Sequence, residues 1–197
     1  MNNFKLKSYL TSNFDSNDRY IQQLQSLSNI KYVSKNTFLL QAGEKCAHSF
    51  FVESGLLRQY SIDEKGKEHI IQFAPERWFI TDRESVYFDQ PSIYFIQALE
   101  DSMVFEINGN HMIELSKSDE GFLDFNYKLL HNHIRHLQKR INQLLSASAE
   151  ERYLDFVASY PDIMLRVPQT LVASYLGITP ESLSRVRKEL VSKYRSN

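Results

Sequence analysis

The stretch "QTLVASYLGITPESLSRVRK", residues 169–188, decides how the chain is read. Its apolar residues Val172, Leu176, Ile178, Leu183 and Val186 meet one another only if two short helices cross at a turn. Ala173 is small enough to let the second helix approach the first. Gly177 stands where the turn needs a positive φ, which a residue without Cβ adopts freely. Thr179 is placed to N-cap the second helix, and Pro180 suits its first position. Pro168 marks the start of the first helix, with Val167 held extended before it. Spacing, caps, glycine and apolar joint agree on a helix-turn-helix. An ordinary αα-hairpin is the plain alternative, but such hairpins seldom carry an exposed cationic second helix.

On that second helix, Glu181, Ser182, Ser184, Arg185 and Lys188 avoid the joint and point outward. The N-terminal part of a recognition helix enters the major groove of DNA. Arg185 can donate two hydrogen bonds to a guanine edge, and Glu181 can accept from cytosine N4. Glu181 also suits the positive end of the helix dipole, and both roles can hold together. Arg187, Lys188 and Lys193 suit phosphates, whose contacts set the salt dependence of binding. Gln169 and Thr170 at the first helix, and Thr179 beside the second, complete the candidate DNA-contacting set.

The charge distribution fits this reading. Residues 166–197 hold six Lys or Arg and two acids, a surplus of +4, and the preceding 165 residues carry −5. An acidic body with a basic module is an asymmetry that the net charge of −1 conceals. Upstream, Ser148 and Glu151 in "SAEE" form a capping box that starts a helix ending at Pro161. Residues 162–167, "DIMLRV", read as one strand before the helix-turn-helix.

From about residue 111 to 145 the pattern is helical. Leu123, Tyr127, Leu130, Ile134, Leu137, Ile141 and Leu144 alternate steps of four and three, a seam of three heptads. Phe122, Phe125 and Leu129 make a second stripe. The strict 3.5 spacing favours a seam between two chains over a core helix packed within one. Residues 31–107 instead read as strands: "TFLLQAGE", "SFFVESGLLRQYSID", "EHIIQFA" and "IYFIQALEDSMVFEI" are rich in β-branched and aromatic residues, with turn signals between them. An antiparallel barrel or roll is expected. Before it, Leu10, Phe14, Tyr20, Leu24 and Leu27 have helical spacing.

Composition bounds the rest. The 197 residues are 42% hydrophobic and 24% charged, a globular balance. No apolar run is long enough to span a membrane, and the first residues lack the apolar core of a signal peptide, so a cytoplasmic location and no membrane partner are expected. The single cysteine, Cys46, excludes an intrachain disulfide and a four-cysteine cluster, so an iron–sulfur cofactor is disfavoured. Nothing in the spacing of His69 or Cys46 supports haem. His131, His133 and His136 cluster on the long helix, but no carboxylate or cysteine joins them at ligand spacing, so no metal site is assigned. The strands offer only His48 and His69, far apart, and an enzyme is not expected.

Strand roll, long helix, then helix-turn-helix: this order resembles the Crp/Fnr family of bacterial transcription regulators. "ITPESLSRVRKEL" resembles the family's recognition helix, with Glu181 and Arg185 where base-reading residues fall. The resemblance implies an α+β fold. Residues 1–116 would form an effector-sensing β-roll, a double-stranded β-helix of the cyclic-nucleotide-binding kind. Residues 117–146 would be the dimerisation helix and 147–197 the helix-turn-helix domain. It also implies a homodimer on pseudo-palindromic double-stranded DNA, with RNA polymerase as a further partner. It places Thr81, Asp82, Arg83, Glu84 and Ser85, with Ser92 and Ile93, at the effector pocket, and Leu137 and Gln138 on the long helix near a nucleotide base.

The pocket departs from the family pattern. Cyclic-nucleotide binders carry Gly-Glu and then Arg-Ser; here the matching positions are Thr81-Asp82 and Ser92-Ile93. Ile93 near a phosphate would leave a charge uncompensated, so cAMP is disfavoured. A pocket for another polar small molecule and an ion-paired surface turn without a ligand both remain open. The family's winged helix usually adds a β-hairpin, and the seven residues after Leu190 are too few for one. A ligand-binding protein whose helical module contacts another protein is the alternative function.

Overall fold

The computed structural model describes residues 4–13, 22–24, 26 and 28–195. They divide into two compact units, one of residues 1–67 and 71–130 and one of residues 68–70 and 131–197.

The first unit contains helix α1 (Lys5–Asn13) and the strands β1 (Ser28–Val33), β2 (Phe38–Leu40), β3 (His48–Ser54), β4 (Leu57–Ile62), β5 (Glu68–Ala74, its first three residues counted with the second unit), β6 (Phe79–Ile80), β7 (Phe95–Ala98) and β8 (Ser102–Asn108). They form two four-stranded sheets, ordered β1-β8-β3-β6 and β2-β7-β4-β5. β3 and β8 pair antiparallel, with Phe50 opposite Glu106 and Val52 opposite Val104. Side chains alternate across a strand. Phe50, Val52 and Val104 therefore enter an interior cluster with Val33, Leu40, Leu57, Ala74, Ile80, Ile96 and Ala98, drawn from both sheets. Their neighbours Phe51, Phe105 and Ile107 face the other way, into a second cluster with Leu6, Leu10, Leu24, Met112, Phe122 and Phe125. Burial on both faces is why "FFV" and "VF" read as continuous apolar runs. Fully burying a side chain such as Phe51 or Phe122 contributes roughly 1.5–3 kcal/mol.

The second cluster explains the helices around the roll. α1 supplies Leu6 and Leu10, while Phe14, Tyr20 and Leu27 lie outside the described residues. Buried Glu53 on β3 accepts from the backbone N–H groups of Lys5 at 2.6 Å and Leu6 at 3.0 Å, so its carboxylate caps the open end of α1. α3 (Gly109–Ser118) and α4 (Glu120–Ser146) follow β8, and Phe122 and Phe125 fix the first turns of α4 in the cluster. One helix was not expected: α2 (Arg83–Phe88) stands inside the region read as strands. The β3–β4 turn depends on Gly55, at φ +94°, where a Cβ would come within 2.2 Å of Ser102 Oγ.

The second unit contains the rest of α4 and the helices α5 (Ala149–Ser159), α6 (Ile163–Arg166), α7 (Gln169–Leu176) and α8 (Pro180–Arg195). The capping box of α5 is formed: Ser148 Oγ accepts from Glu151 N at 3.2 Å, and Glu151 Oε2 accepts from Ser148 N at 2.7 Å. The strand expected over 162–167 is instead the short helix α6. Ile163 and Val167 are buried while Leu165 between them is 89% exposed; a strand would put all three on one face, whereas a helical turn sets Leu165 opposite the other two. No helix among the described residues is long and apolar enough to cross a membrane.

Candidate nucleic-acid interface and sensor site

α7 ends at Gly177, in the left-handed conformation at φ 67° and ψ 33°. Its N–H donates to the carbonyls of Ala173 and Ser174, and Ile178 N donates to Ala173 O at 3.0 Å. This is a Schellman-type cap. Two residues on, Thr179 Oγ1 accepts from Ser182 N at 3.2 Å and so caps α8. The joint is fully apolar: Val172, Ala173, Leu176, Leu183, Val186 and Leu190 are all buried. Phe156, Tyr160 and Tyr175 pack beside it, with ring centroids 5.2–5.9 Å apart. Arg140 of α4 lies 3.6 Å from the Tyr175 ring centroid and donates to Tyr175 O at 2.8 Å. Burial pushes the Tyr160 hydroxyl well above its usual pKa, and neighbouring Tyr175 adds to the rise.

With the joint fixed, the helical period turns the remaining side chains of α8 outward. Pro180, Glu181, Ser184, Arg185, Lys188 and Glu189 line one open hollow. Glu181, Ser184, Arg185 and Lys188 are exposed, and Arg187 is half-buried at its margin. Ser182 is half-buried, its hydroxyl accepting from Thr179 Oγ1 at 3.3 Å within the cap. A hydrogen bond from its own backbone N–H, and then one with Thr179, hold Glu181 below the usual carboxylate pKa. Glu181 is therefore ionised at neutral pH. Gln169 and Thr170 are exposed at the start of α7. Lys193, read as a phosphate contact, has its Nζ 2.8 Å from both carboxylate oxygens of Glu150 on α5. The sequence carried no signal for that pair, because its members are 43 residues apart.

Along α4, Tyr127, Ile134, Leu137, Ile141 and Leu144 are exposed, and Leu123 and Leu130 are half-buried. Tyr127 is 51% and Ile141 56% exposed, large values for apolar side chains spaced on one helical stripe. Gln138 is exposed in the second unit. His136 is held below the usual imidazole pKa, first by burial and then by Arg135 and Lys139, so it is neutral near pH 7.

In the first unit, the polar residues expected at an effector pocket form a local network. Buried Asp82 is the N-cap of α2; its Oδ1 accepts from Glu84 N at 3.1 Å. Buried Ser85 Oγ accepts from Cys46 N at 2.7 Å. Thr81 Oγ1 donates to His48 O at 3.0 Å. Buried Ser92 Oγ accepts from Tyr94 N at 3.0 Å. Ile93 is 63% exposed, and Glu84 is exposed as well. Arg83 is half-buried, and its Nε is shielded from solvent without a hydrogen-bond partner. Two residues absent from the sequence reading also belong here. Gln59 Nε2 donates to Thr81 O at 3.4 Å. The Tyr94 hydroxyl is raised in pKa by burial and then by Asp82 and Glu84. Cys46 is buried, and among the described residues no three His, Cys, Asp or Glu side chains gather as a metal site.

Comparison with known proteins agrees with this architecture. Residues 30–119 match the family Cyclic nucleotide-binding domain. The chain is 29% identical over 180 residues to the Anaerobic regulatory protein of Pasteurella multocida, covering 84% of this chain and 65% of that protein. The structure of FixK2 from Bradyrhizobium japonicum superposes with a TM-score of 0.73 at 18% identity, covering 84% of this chain and 85% of that one. A Eubacterium rectale regulator assigned to the crp/fnr family superposes with a TM-score of 0.69 at 19% identity, covering 94% and 88%.

The turn at Gly177 makes the first prediction. A Cβ there would adopt φ +67° and stand 3.2 Å from Leu144 Cδ2. Gly177→Ala should cost about 1–2 kcal/mol. Urea denaturation reads this as a lower midpoint at unchanged slope; an unmoved midpoint would show that the turn tolerates a side chain.

Proposed function

We propose that the chain is a transcription regulator of the Crp/Fnr type that binds double-stranded DNA sequence-specifically as a homodimer. One observation carries this reading. The α7–α8 joint buries Leu183, Val186 and Leu190, and so turns Glu181, Ser184, Arg185 and Lys188 to one open face. An Arg and a Glu one turn apart at the start of an exposed helix suit a guanine and a cytosine edge. Arg187 and Lys188, with Gln169 and Thr170, serve the phosphates on either side. The similar proteins are regulators rather than enzymes.

The homodimer rests on α4. Its stripe from Tyr127 to Leu144 leaves large apolar surface in water, and a second copy of the same helix would cover it. Such a dimer would present two recognition helices to half-sites about one DNA turn apart, as a pseudo-palindromic site requires. Transcription control from such a site implies RNA polymerase as the further partner.

The effector is not a cyclic nucleotide in this reading. A ribose hydroxyl would have to compete for Asp82 with the N–H groups of α2, and exposed Ile93 offers a phosphate no cation. Arg83 is the nearest cation by sequence, and its uncommitted Nε suits a different anionic or polar molecule.

Three outcomes follow. Arg185→Ala should lose roughly 1–3 kcal/mol of discrimination at one base pair per half-site, while Lys188→Ala should weaken all duplexes alike and lower the salt slope by about 1. Selection from random duplexes and titration over salt would separate the two; equal effects of both on base preference would refute the assignment. Leu137→Asp combined with Ile141→Asp should weaken self-association at least about 100-fold, read by sedimentation equilibrium. A dimer of unchanged affinity would move the interface off α4. Saturating cAMP should leave the thermal midpoint unmoved, whereas a rise of several degrees would restore the cyclic-nucleotide reading.

A further inference from the structure

The hollow on α8 is lined by as many acids as bases. Glu181 and Glu189 line the same hollow as Arg185 and Lys188. Glu181 has a local task at the helix start, where a negative charge is favourable. Glu189 has none. It is exposed, lies far from the helix N-terminus, and among the described residues no ion pair joins it to Arg185 or Lys188. It stands one turn beyond Arg185 on the same face, about 6 Å further along the axis.

We propose that Glu189 is a specificity-determining residue, whose carboxylate opposes the phosphate backbone and so suppresses binding to non-cognate DNA. The inference rests on the DNA-binding reading above. An ionised carboxylate and a phosphate offer only acceptors, so no hydrogen bond offsets their repulsion. The N-terminal turns of a recognition helix sit in the groove, so the turn carrying Glu189 passes the phosphate wall. Non-cognate binding draws almost entirely on phosphate contacts and therefore feels this repulsion in full. In the cognate register the base contact of Arg185 adds to the phosphate contacts and outweighs this repulsion.

The test uses the full chain, a duplex enriched by the wild-type protein from a random pool, and a scrambled duplex of the same length. Glu189→Gln keeps the shape and removes the charge. It should tighten binding to the scrambled duplex roughly three- to tenfold near 0.1 M salt, and steepen that salt slope by up to about 1. Binding to the enriched duplex should change less than about twofold, so the specificity ratio falls. Glu189→Ala should move all three quantities the same way. An unchanged scrambled-duplex affinity, or a loss confined to the enriched duplex, overturns the inference, the latter making Glu189 a base reader. If the wild-type protein enriches no sequence at all, the DNA-binding reading falls with it; if it enriches a sequence and the variants change nothing, only the role of Glu189 falls.

Discussion

The carbonyls of Ala173 and Ser174 at the end of α7 are satisfied because Gly177 bends the chain into the left-handed region and brings its own N–H back to them. The chain then leaves α7 in a direction that lets Leu183 and Val186 reach Val172 and Leu176 without a spacer. Once those side chains are buried, the azimuth of α8 is set. Arg185 faces outward because Leu183 and Val186 face inward, not because anything holds the guanidinium there. An exposed cation whose direction comes from its buried neighbours can form new hydrogen bonds without first breaking old ones. That property suits a group that must meet a partner molecule.

How much of this was legible in the sequence depends on the range of the interaction. The helix-turn-helix was readable because its cap, glycine and apolar joint lie within twenty residues. The capping box at Ser148 was readable for the same reason. The helical stripe on α4 and the alternating strands follow from periodicity alone. What escaped were partnerships across long stretches of chain. Nothing near Glu53 announces that it caps a helix 47 residues earlier, and Lys193 reads as a free cation until Glu150 is found beside it. Local propensity also misled. "DIMLRV" is apolar enough for a strand, yet Leu165 stands in water between buried Ile163 and Val167, which a helical turn allows and a strand does not. "TDRES" sits among strands, yet Asp82 supplies the cap that starts a helix.

The sensor region shows why residue type alone could not name an effector. Thr81, Asp82, Ser85 and Ser92 are the residue types that bind polar ligands, and in this fold each already bonds to nearby backbone. Buried polar groups seek partners, and a folded chain can supply them itself. A molecule entering here must exchange bonds rather than fill open valences, which favours a ligand that brings both donors and acceptors. Arg83 is the exception, with its shielded Nε.

The carboxylate of Glu53 ties two parts of the chain that different forces built. β3 belongs to the doubly buried centre of a sheet, and α1 is a short helix at the rim. Undocking α1 would strip the buried carboxylate of Glu53 of both N–H donors. Fraying of α1 is therefore coupled to hydration of the sheet behind it. In hydrogen-exchange terms, the amides of Lys5 and Leu6 should report openings that reach the strand core, rather than shallow local fraying of one helix. A rim helix anchored in this way gives the roll one cooperative boundary.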